Sequence, residues 1–162
     1  MRTLLAVVVA ALGATQEGPV NVQTIPMPKV EGRIDHLAFD GKSGKLSVAA
    51  LGNNTVEVID LSQGKVIHKI EGLHEPQGIQ YWEGQIVVAS GGDGSSRFYD
   101  GTTYKLLKNV DCKEDADNVR VDAEAKLIYV GYGSGALGIV DPEKGETIYS
   151  TWTNISRSTD GG

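Results

Sequence analysis

Short runs of apolar and β-branched residues alternate with polar turns along residues 33–152. β-Branched and aromatic residues favour strands, whereas the Gly, Asn and Asp between the runs favour tight turns. No segment in this range shows convincing helical periodicity. The pattern therefore predicts an all-β fold with strands at 33–39, 46–51, 55–59, 65–70, 77–82, 85–90, 96–99, 104–110, 118–122, 126–132, 136–140 and 146–152.

Landmarks of these strands return about every 40 residues. Asp60, Asp100 and Asp141 each end a third strand and are 40 and 41 residues apart. Three further sets follow the same period: Gly52, Gly92 and Gly133; Leu46, Ile86 and Leu127; and Leu37, Ile79 and Val119. A shared period of this length predicts repeated units of four strands each.

The second strand of a unit is apolar on both faces, as in "IVVA" at 86–89 and "LIYV" at 127–130. A sheet covered on one side would instead alternate between apolar and polar residues. Each small sheet is therefore expected to pack between neighbours, which predicts a partial β-propeller of about three four-stranded antiparallel blades. The predicted blades are 33–72, 73–113 and 114–152.

The repeated aspartates have a structural explanation. An Asp side chain at a strand end accepts hydrogen bonds from the backbone N–H groups of the following turn. The turns "GNN" at 52–54 and "GDG" at 92–94 supply residues that tolerate positive φ. We therefore interpret Asp60, Asp100 and Asp141 as turn formers rather than as acids in chemistry.

The first unit resembles a known repeat. Its residues "GNNTVEVID" at 52–60 and "KVIHKI" at 65–70, with "EPQGI" at 75–79 as the entry into the second unit, follow the order of the YVTN-type β-propeller repeat of secreted bacterial and archaeal proteins. The resemblance covers about residues 33–152 and loosens after the first unit, where Ala116 stands in place of Pro76. It implies a ring of roughly seven blades in a secreted binding or surface protein. Similar propellers also include lactonases and redox enzymes, so the fold alone does not define chemistry.

The N-terminal residues have the features of an export signal. Arg2 precedes an apolar run from Leu4 to Leu12, and small residues follow it. The run is shorter than the roughly 20 apolar residues of a membrane-spanning helix, so residues 1–14 are predicted to be a secretory signal peptide. The alternative is a buried strand of the mature domain. Export predicts a periplasmic or extracellular protein with no membrane span after signal removal.

The composition narrows the range of binding partners and of possible sites. The formal net charge is −6, which argues against nucleic acid as the main partner. Cys112 is the sole cysteine, so an internal disulfide and a cysteine-based zinc site are both excluded. We expect Cys112 to be an inert, partly buried thiol.

The predicted ring is incomplete, because propellers contain about four to eight blades. In the N-terminal segment at 15–32, "NVQTIPMP" at 21–28 is predicted to be an orphan outer strand whose partners would lie beyond residue 152. The polar tail at 153–162 has no strand pattern. Either the sequence is a truncated or shifted reading of a longer propeller gene, or a second copy closes the ring.

The candidate site lies where the innermost strands begin. Propeller geometry places the residues at these strand starts at one rim of the central channel. Glu75 and Asp115 lie just before the second and third strand starts. The polar residues of this rim suggest a site for a cation, a polar small molecule or a protein. The alternative is a solvated rim with satisfied hydrogen bonds. The predicted rim residues are Asp35, His36, Gln77, Asp117 and Asn118.

No catalytic residue or metal ligand set is predicted, and no cofactor. "GGDGSS" at 91–96 lacks the lysine and helix of a phosphate-binding loop, and His36 has no paired ligand at zinc spacing. The leading hypothesis is a non-catalytic, exported binding scaffold. The alternatives are part of a propeller enzyme of the sugar-lactonase type with an axial site, and a surface-layer adhesion repeat.

Overall fold

The computed structural model describes residues 22–152. The predicted signal peptide at 1–14 and the polar tail at 153–162 lie outside the described residues. Within them, the all-β prediction is confirmed, since twelve strands and one short 3-10 turn at Leu51–Asn53 make up the regular structure. No helix among these residues has the length and apolar character that crossing a bilayer requires.

The strands form three antiparallel four-stranded sheets, and each sheet follows chain order as a simple meander. Hairpin-length turns connect neighbouring strands, which fixes this order. The strands are β1 Leu37–Asp40, β2 Lys45–Ala50, β3 Thr55–Asp60, β4 Lys65–Ile70, β5 Pro76–Trp82, β6 Gln85–Ser90, β7 Ser95–Asp100, β8 Leu106–Asp111, β9 Val119–Asp122, β10 Leu127–Tyr132, β11 Ala136–Asp141 and β12 Glu146–Trp152. Blade 1 contains β1 to β4, blade 2 contains β5 to β8, and blade 3 contains β9 to β12.

The blades stack face to face through two separate apolar cores. One core joins blade 1 residues such as Ala49 and Val56 to Ile79 and Val88 of blade 2. The other core joins blade 2 to blade 3 and contains Phe98, which is fully buried. The sheets are thus separate quartets in series rather than one continuous sandwich, which confirms a partial β-propeller.

Cys112 belongs to the second core and is buried. Burial raises the pKa of its thiol, and its Sγ lies 3.5 Å from the Ser96 hydroxyl. A buried thiol with a raised pKa holds little of the reactive thiolate at neutral pH, in line with the expected inert cysteine.

Each blade repeats one irregularity between its third and outermost strands. The register shifts at Val58/Ile59 in blade 1, at Phe98/Tyr99 in blade 2 and at Ile139/Val140 in blade 3. Such bulges twist an edge strand, and lysines such as Lys65 and Lys69 add charge to it. Both features oppose unwanted pairing at the exposed outer edge.

One of the predicted equivalences is wrong by one residue. Cross-strand pairing matches Leu46 with Ile59 and Ile86 with Tyr99, but it matches Ile128, rather than Leu127, with Val140. The turn between β10 and β11 spans 133–135, whereas the corresponding turns span 51–54 and 91–94. Because this turn of blade 3 is one residue shorter, the residue equivalent to Leu46 and Ile86 is Ile128 rather than Leu127.

The repeated aspartates act as turn formers, as predicted. Asp60 Oδ1 accepts hydrogen bonds from the N–H groups of Ser62 at 2.9 Å and Gln63 at 3.1 Å. Asp100 and Asp141 accept the same pair of bonds from the second and third residues after them. These donors lower the pKa of all three carboxyls.

Asp60 gives the first test of this interpretation. Hydrogen bonds from the Ser62 side chain and from Gln63 lower the pKa of Asp60 from 3.8 to about 2. Because the pKa of Asp60 is depressed in the folded state, the ionised carboxyl stabilises the folded state. This stabilisation is complete above the unfolded-state pKa and disappears as the pH falls from about 4 to about 2. A carbon-detected NMR titration of the Asp60 carboxyl should give a midpoint near 2.

The matched variant is Asp60→Asn, which keeps an acceptor oxygen but removes the titrating group. Its stability should vary less between pH 4 and pH 2 than that of the unmodified chain. An Asp60 midpoint near the ordinary value of 3.8 would contradict the turn-forming role.

The N-terminal segment at 22–28 pairs with none of the three sheets. The segment instead lies against blade 1: Asn53 donates to the Lys29 carbonyl at 2.8 Å and accepts from the Glu31 N–H at 2.7 Å. Pro28 lines a cavity with the buried Glu57. Residues 22–28 of the predicted orphan outer strand form no strand pairing among the described residues, and pairing with strands beyond residue 152 stays a prediction.

Candidate functional site

The predicted rim residues occupy equivalent places in the three blades. The register pairs Leu37 with Val48, Ile79 with Val88 and Val119 with Val130. The dipeptides just before these innermost-strand positions therefore correspond. They are Asp35–His36 in blade 1, Gln77–Gly78 in blade 2 and Asp117–Asn118 in blade 3.

Backbone hydrogen bonds hold two of these dipeptides in the same way. In blade 1, Asp35 N donates to Ala49 O at 2.9 Å and Ala49 N donates to His36 O at 3.0 Å. In blade 3, Gly131 exchanges the same two bonds with Asp117 and Asn118, both at 2.9 Å. In blade 2 the pairing is interrupted between Pro76 and Ile79, so Gln77 and Gly78 lie in a bulge.

The structure brings the blade 2 and blade 3 positions together. A Cβ atom added to Gly78 would lie 1.9 Å from the Asp117 carbonyl oxygen, so these two backbones are in close contact. A Cβ added to Gly91 would lie 2.0 Å from Gln77 Nε2 and 3.1 Å from Asp115 Oδ1. Gln77, Asp115 and Asp117 thus lie close together between blades 2 and 3.

Asp35 and His36 form a separate group with Arg33 in blade 1. The Arg33 guanidinium lies 2.8 Å from Asp35 Oδ2. His36 Nδ1 lies 3.3 Å from Asp35 Oδ1, but the angles do not make a hydrogen bond and this buried nitrogen has no partner. The Asp35 side chain is 15% exposed, and the more exposed Arg33 supplies a positive charge beside it.

Two acidic residues beside the rim have strained backbones. Glu75 has φ of +51° and Asp115 has φ of +44°, values that side chains with a Cβ rarely adopt. Their carbonyls accept hydrogen bonds from Gly91 N at 3.0 Å and Gly133 N at 3.1 Å. Such strain persists where the surroundings fix it, and it occurs often at binding sites.

The chemistry available at the rim is polar recognition. The described residues contain no group of three His, Cys, Asp or Glu side chains arranged to hold a metal ion. Part of the hydrogen-bonding capacity is used internally, since Asn118 Nδ2 donates to Asp117 Oδ2 at 3.1 Å. The remaining carboxylate and amide groups suit a ligand that presents several hydrogen-bond donors.

A cleft that the sequence did not reveal lies at the opposite ends of the innermost strands. It has a volume of about 520 Å³ and separates the end of β1 from the end of β5. Burial raises the pKa of Asp40, but hydrogen bonds from Ser43, the Lys42 N–H and Tyr81 outweigh it and lower that pKa overall. The Asp40 oxygens are therefore occupied. The lining residues are Asp40, Gly41, Lys42, Tyr81, Trp82, Glu83 and Gly84.

Fold and rim together define a β-propeller-like protein. No known protein family matches the sequence, and no curated protein matches it either. Among solved structures, the chain is similar to hydrazine synthase from Kuenenia stuttgartiensis, with 14% identity and a TM-score of 0.71. The match covers 85% of this chain but only 40% of that one. At this identity the likeness shows the fold alone.

Proposed function

We propose that this chain is an exported, YVTN-like propeller repeat protein that acts as a binding scaffold without catalysis of its own. The observation that carries the proposal is the rim: three blades place polar dipeptides at one equivalent register position. Equivalent positions that carry different side chains are suited to recognising one ligand through several contacts. The proposed ligand is a polar molecule that contacts Gln77, Asp117 and Asn118 between blades 2 and 3, and Asp35 and His36 form the separate blade 1 part of the same rim.

The rim is tested by binding to the purified chain. We expect amide NMR signals at Gln77, Asp117 and Asn118 to shift when calcium chloride or methyl glucoside is added as a probe. The variant Asp117→Ala should weaken the response at least about tenfold, because it removes a charged hydrogen-bonding partner. The control is Glu124→Ala, an exposed residue in the turn at the far end of β9. Shifts confined to that far end, or none with either probe, would count against a rim site.

The absence of catalysis is tested separately. Incubation with gluconolactone and divalent metal ions should give hydrolysis no faster than the buffer background. Metal-dependent turnover well above background would replace the scaffold proposal with the lactonase-type alternative. Binding of cell-wall polymer without turnover would instead favour a surface-layer adhesion role.

Export is tested by the mass of the protein recovered from a bacterial host. Removal of residues 1–14 should leave a chain beginning near residue 15 in the periplasm or medium, because the apolar run fits a signal peptide. Arg2→Glu removes the positive charge before that run and should reduce export. Recovery of the intact 162-residue chain from the cytoplasm would contradict this part of the proposal.

A further inference from the structure

The turn between the first two strands of a blade is shorter in blade 2 than in its neighbours. It spans 41–44 in blade 1 and 123–126 in blade 3, whereas in blade 2 it contains only Glu83 and Gly84. Both of these residues have positive φ, of +46° and +80°, as a tight two-residue hairpin turn requires. The short turn takes up less space beside the longer turn of blade 1, and the cleft of about 520 Å³ lies between these two turns.

The strand end beside the short turn carries an aromatic residue in place of an aspartate. Asp40, Trp82 and Asp122 each end an innermost strand, and the register places them at one equivalent position. Trp82 packs against the core between blades 2 and 3, and Tyr81 packs against the core between blades 1 and 2. The cleft is therefore lined by two aromatic side chains whose positions are fixed by the two cores.

Asp40 brings to the cleft a negative charge that is not paired. It is 6% exposed, and no basic nitrogen of the described residues lies within 4.0 Å of its carboxylate oxygens. Burial raises the pKa of this carboxyl, but hydrogen bonds from Ser43, the Lys42 N–H and Tyr81 lower it overall, so the group is ionised at neutral pH. Because a buried charge is costly without a partner, a cation in the cleft would be stabilised.

The hydrogen-bonding capacity of the Asp40 carboxylate is already used. An ionised carboxylate has about four lone-pair sites. The donors that fill them are the hydroxyl and N–H of Ser43, the N–H of Lys42 and the hydroxyl of Tyr81. A cation that must donate hydrogen bonds would find no free acceptor on Asp40. An ammonium ion without N–H groups needs only the charge and the aromatic faces.

We propose that the cleft binds a small quaternary ammonium ion, with its methyl groups against the Tyr81 and Trp82 rings and its charge facing Asp40. Aromatic rings attract such ions through their negative faces. Asp40 and Glu83 against Lys42 leave the lining with a net charge of −1. The volume lies within the range of small-molecule sites. This site lies at the opposite ends of the innermost strands from the rim, so it is independent of the binding proposed there.

Choline chloride is the probe, and NMR of the purified chain is the measurement. At about 0.15 M salt, charges more than about 8 Å apart are largely screened. We expect the Trp82 indole and Gly84 amide signals to shift with a dissociation constant of about 1 mM. The neutral alcohol in which carbon replaces the choline nitrogen should bind at least about tenfold more weakly, because it has the shape without the charge. Equal binding of this alcohol, or shifts confined to the rim, would overturn the proposal.

Phosphatidylcholine vesicles separate two sources of the same group. They present the quaternary ammonium on a lipid headgroup, whereas choline presents it as a free ion. Cosedimentation with the vesicles that Asp40→Asn abolishes would assign the lipid headgroup as the source. Choline binding without cosedimentation would assign the free ion.

Two variants and a matched control test the residues of the cleft. Asp40→Asn keeps an acceptor oxygen for the turn but removes the charge, and it should weaken choline binding at least about tenfold. Trp82→Leu removes an aromatic face and should weaken it about fivefold. The control is Asp122→Asn, which removes the same charge from the equivalent turn of blade 3, where Asp122 accepts from the N–H groups of Glu124 and Ala125.

The control variant should leave choline binding within about twofold of the unmodified chain, since Asp122 does not line the cleft. Circular dichroism of each variant checks that it remains folded. Equal losses for Asp40→Asn and Asp122→Asn would mean that turn geometry or overall charge, rather than the cleft, governs the response. That result, or unchanged binding in Asp40→Asn, would overturn the proposal.

Discussion

Replacing Phe98 by alanine should lower the free energy of unfolding by about 3–5 kcal/mol. Phe98 is fully buried in the core between blades 2 and 3, where removal of the ring leaves a cavity lined by residues such as Val87 and Val130. Single domains have only about 5–15 kcal/mol of stability, so this loss is a large part of the total. Urea titration followed by circular dichroism measures it as a lower midpoint with an unchanged slope.

Leu106→Ala is the control for this experiment. Leu106 lies on the outer strand of the same blade and is 54% exposed, so its truncation should change stability by about 0.5 kcal/mol or less. Equal losses for the two variants would mean that Phe98 does not sit in a packed interface between blades.

Replacing Gly78 by alanine should have the second largest effect, about 1–3 kcal/mol or more. The added Cβ would lie 1.9 Å from the Asp117 carbonyl oxygen and 3.0 Å from Val119 N. Both are backbone atoms of the neighbouring blade, so the innermost strands must separate to accommodate the methyl group. The same urea titration measures the loss, and rim NMR signals at Asp117 and Asn118 should shift in the variant.

Gly131→Ala is the matched control, since Gly131 occupies the position held by Ala49 in blade 1. Its added Cβ would meet only Asn118 Cβ at 3.8 Å, which is an ordinary contact. A compatible Gly to Ala change stabilises by about 0.4–1 kcal/mol through the unfolded state. A neutral Gly78→Ala would contradict the close approach of blades 2 and 3.

Much of the fold could be predicted because the information is local. Strand residues such as "TVEVID" and turn residues such as Asp60 take their conformation from interactions with residues close in sequence. The period of about 40 residues then indicates which strands belong to the same blade. Asp122 makes the same two turn contacts and Asp40 makes the first of them, although neither belongs to the repeat of Asp60, Asp100 and Asp141. The four-stranded meander then followed from short connections.

What could not be predicted depends on contacts between distant segments. The course of the N-terminal segment depends on Asn53, which lies 24 residues from its partner Lys29 in sequence, so the local pattern at 22–28 does not indicate it. The one-residue offset at Leu127 arises from a shorter turn further along the chain. At the rim, the sequence predicted equivalent positions, but only coordinates show that Gln77 lies beside Asp115 while Asp35 pairs with Arg33.

The central claim is that three separate sheets stack in series, each blade contacting the next. Methyl-resolved NOE spectroscopy of the purified chain tests it directly. We predict contacts from the Ala49 and Val56 methyls to Ile79 and Val88, and from Ala89 to Val119 and Val130. Contacts that join Ala49 or Val56 directly to Val119 or Val130 would show one continuous core and contradict the stacked blades.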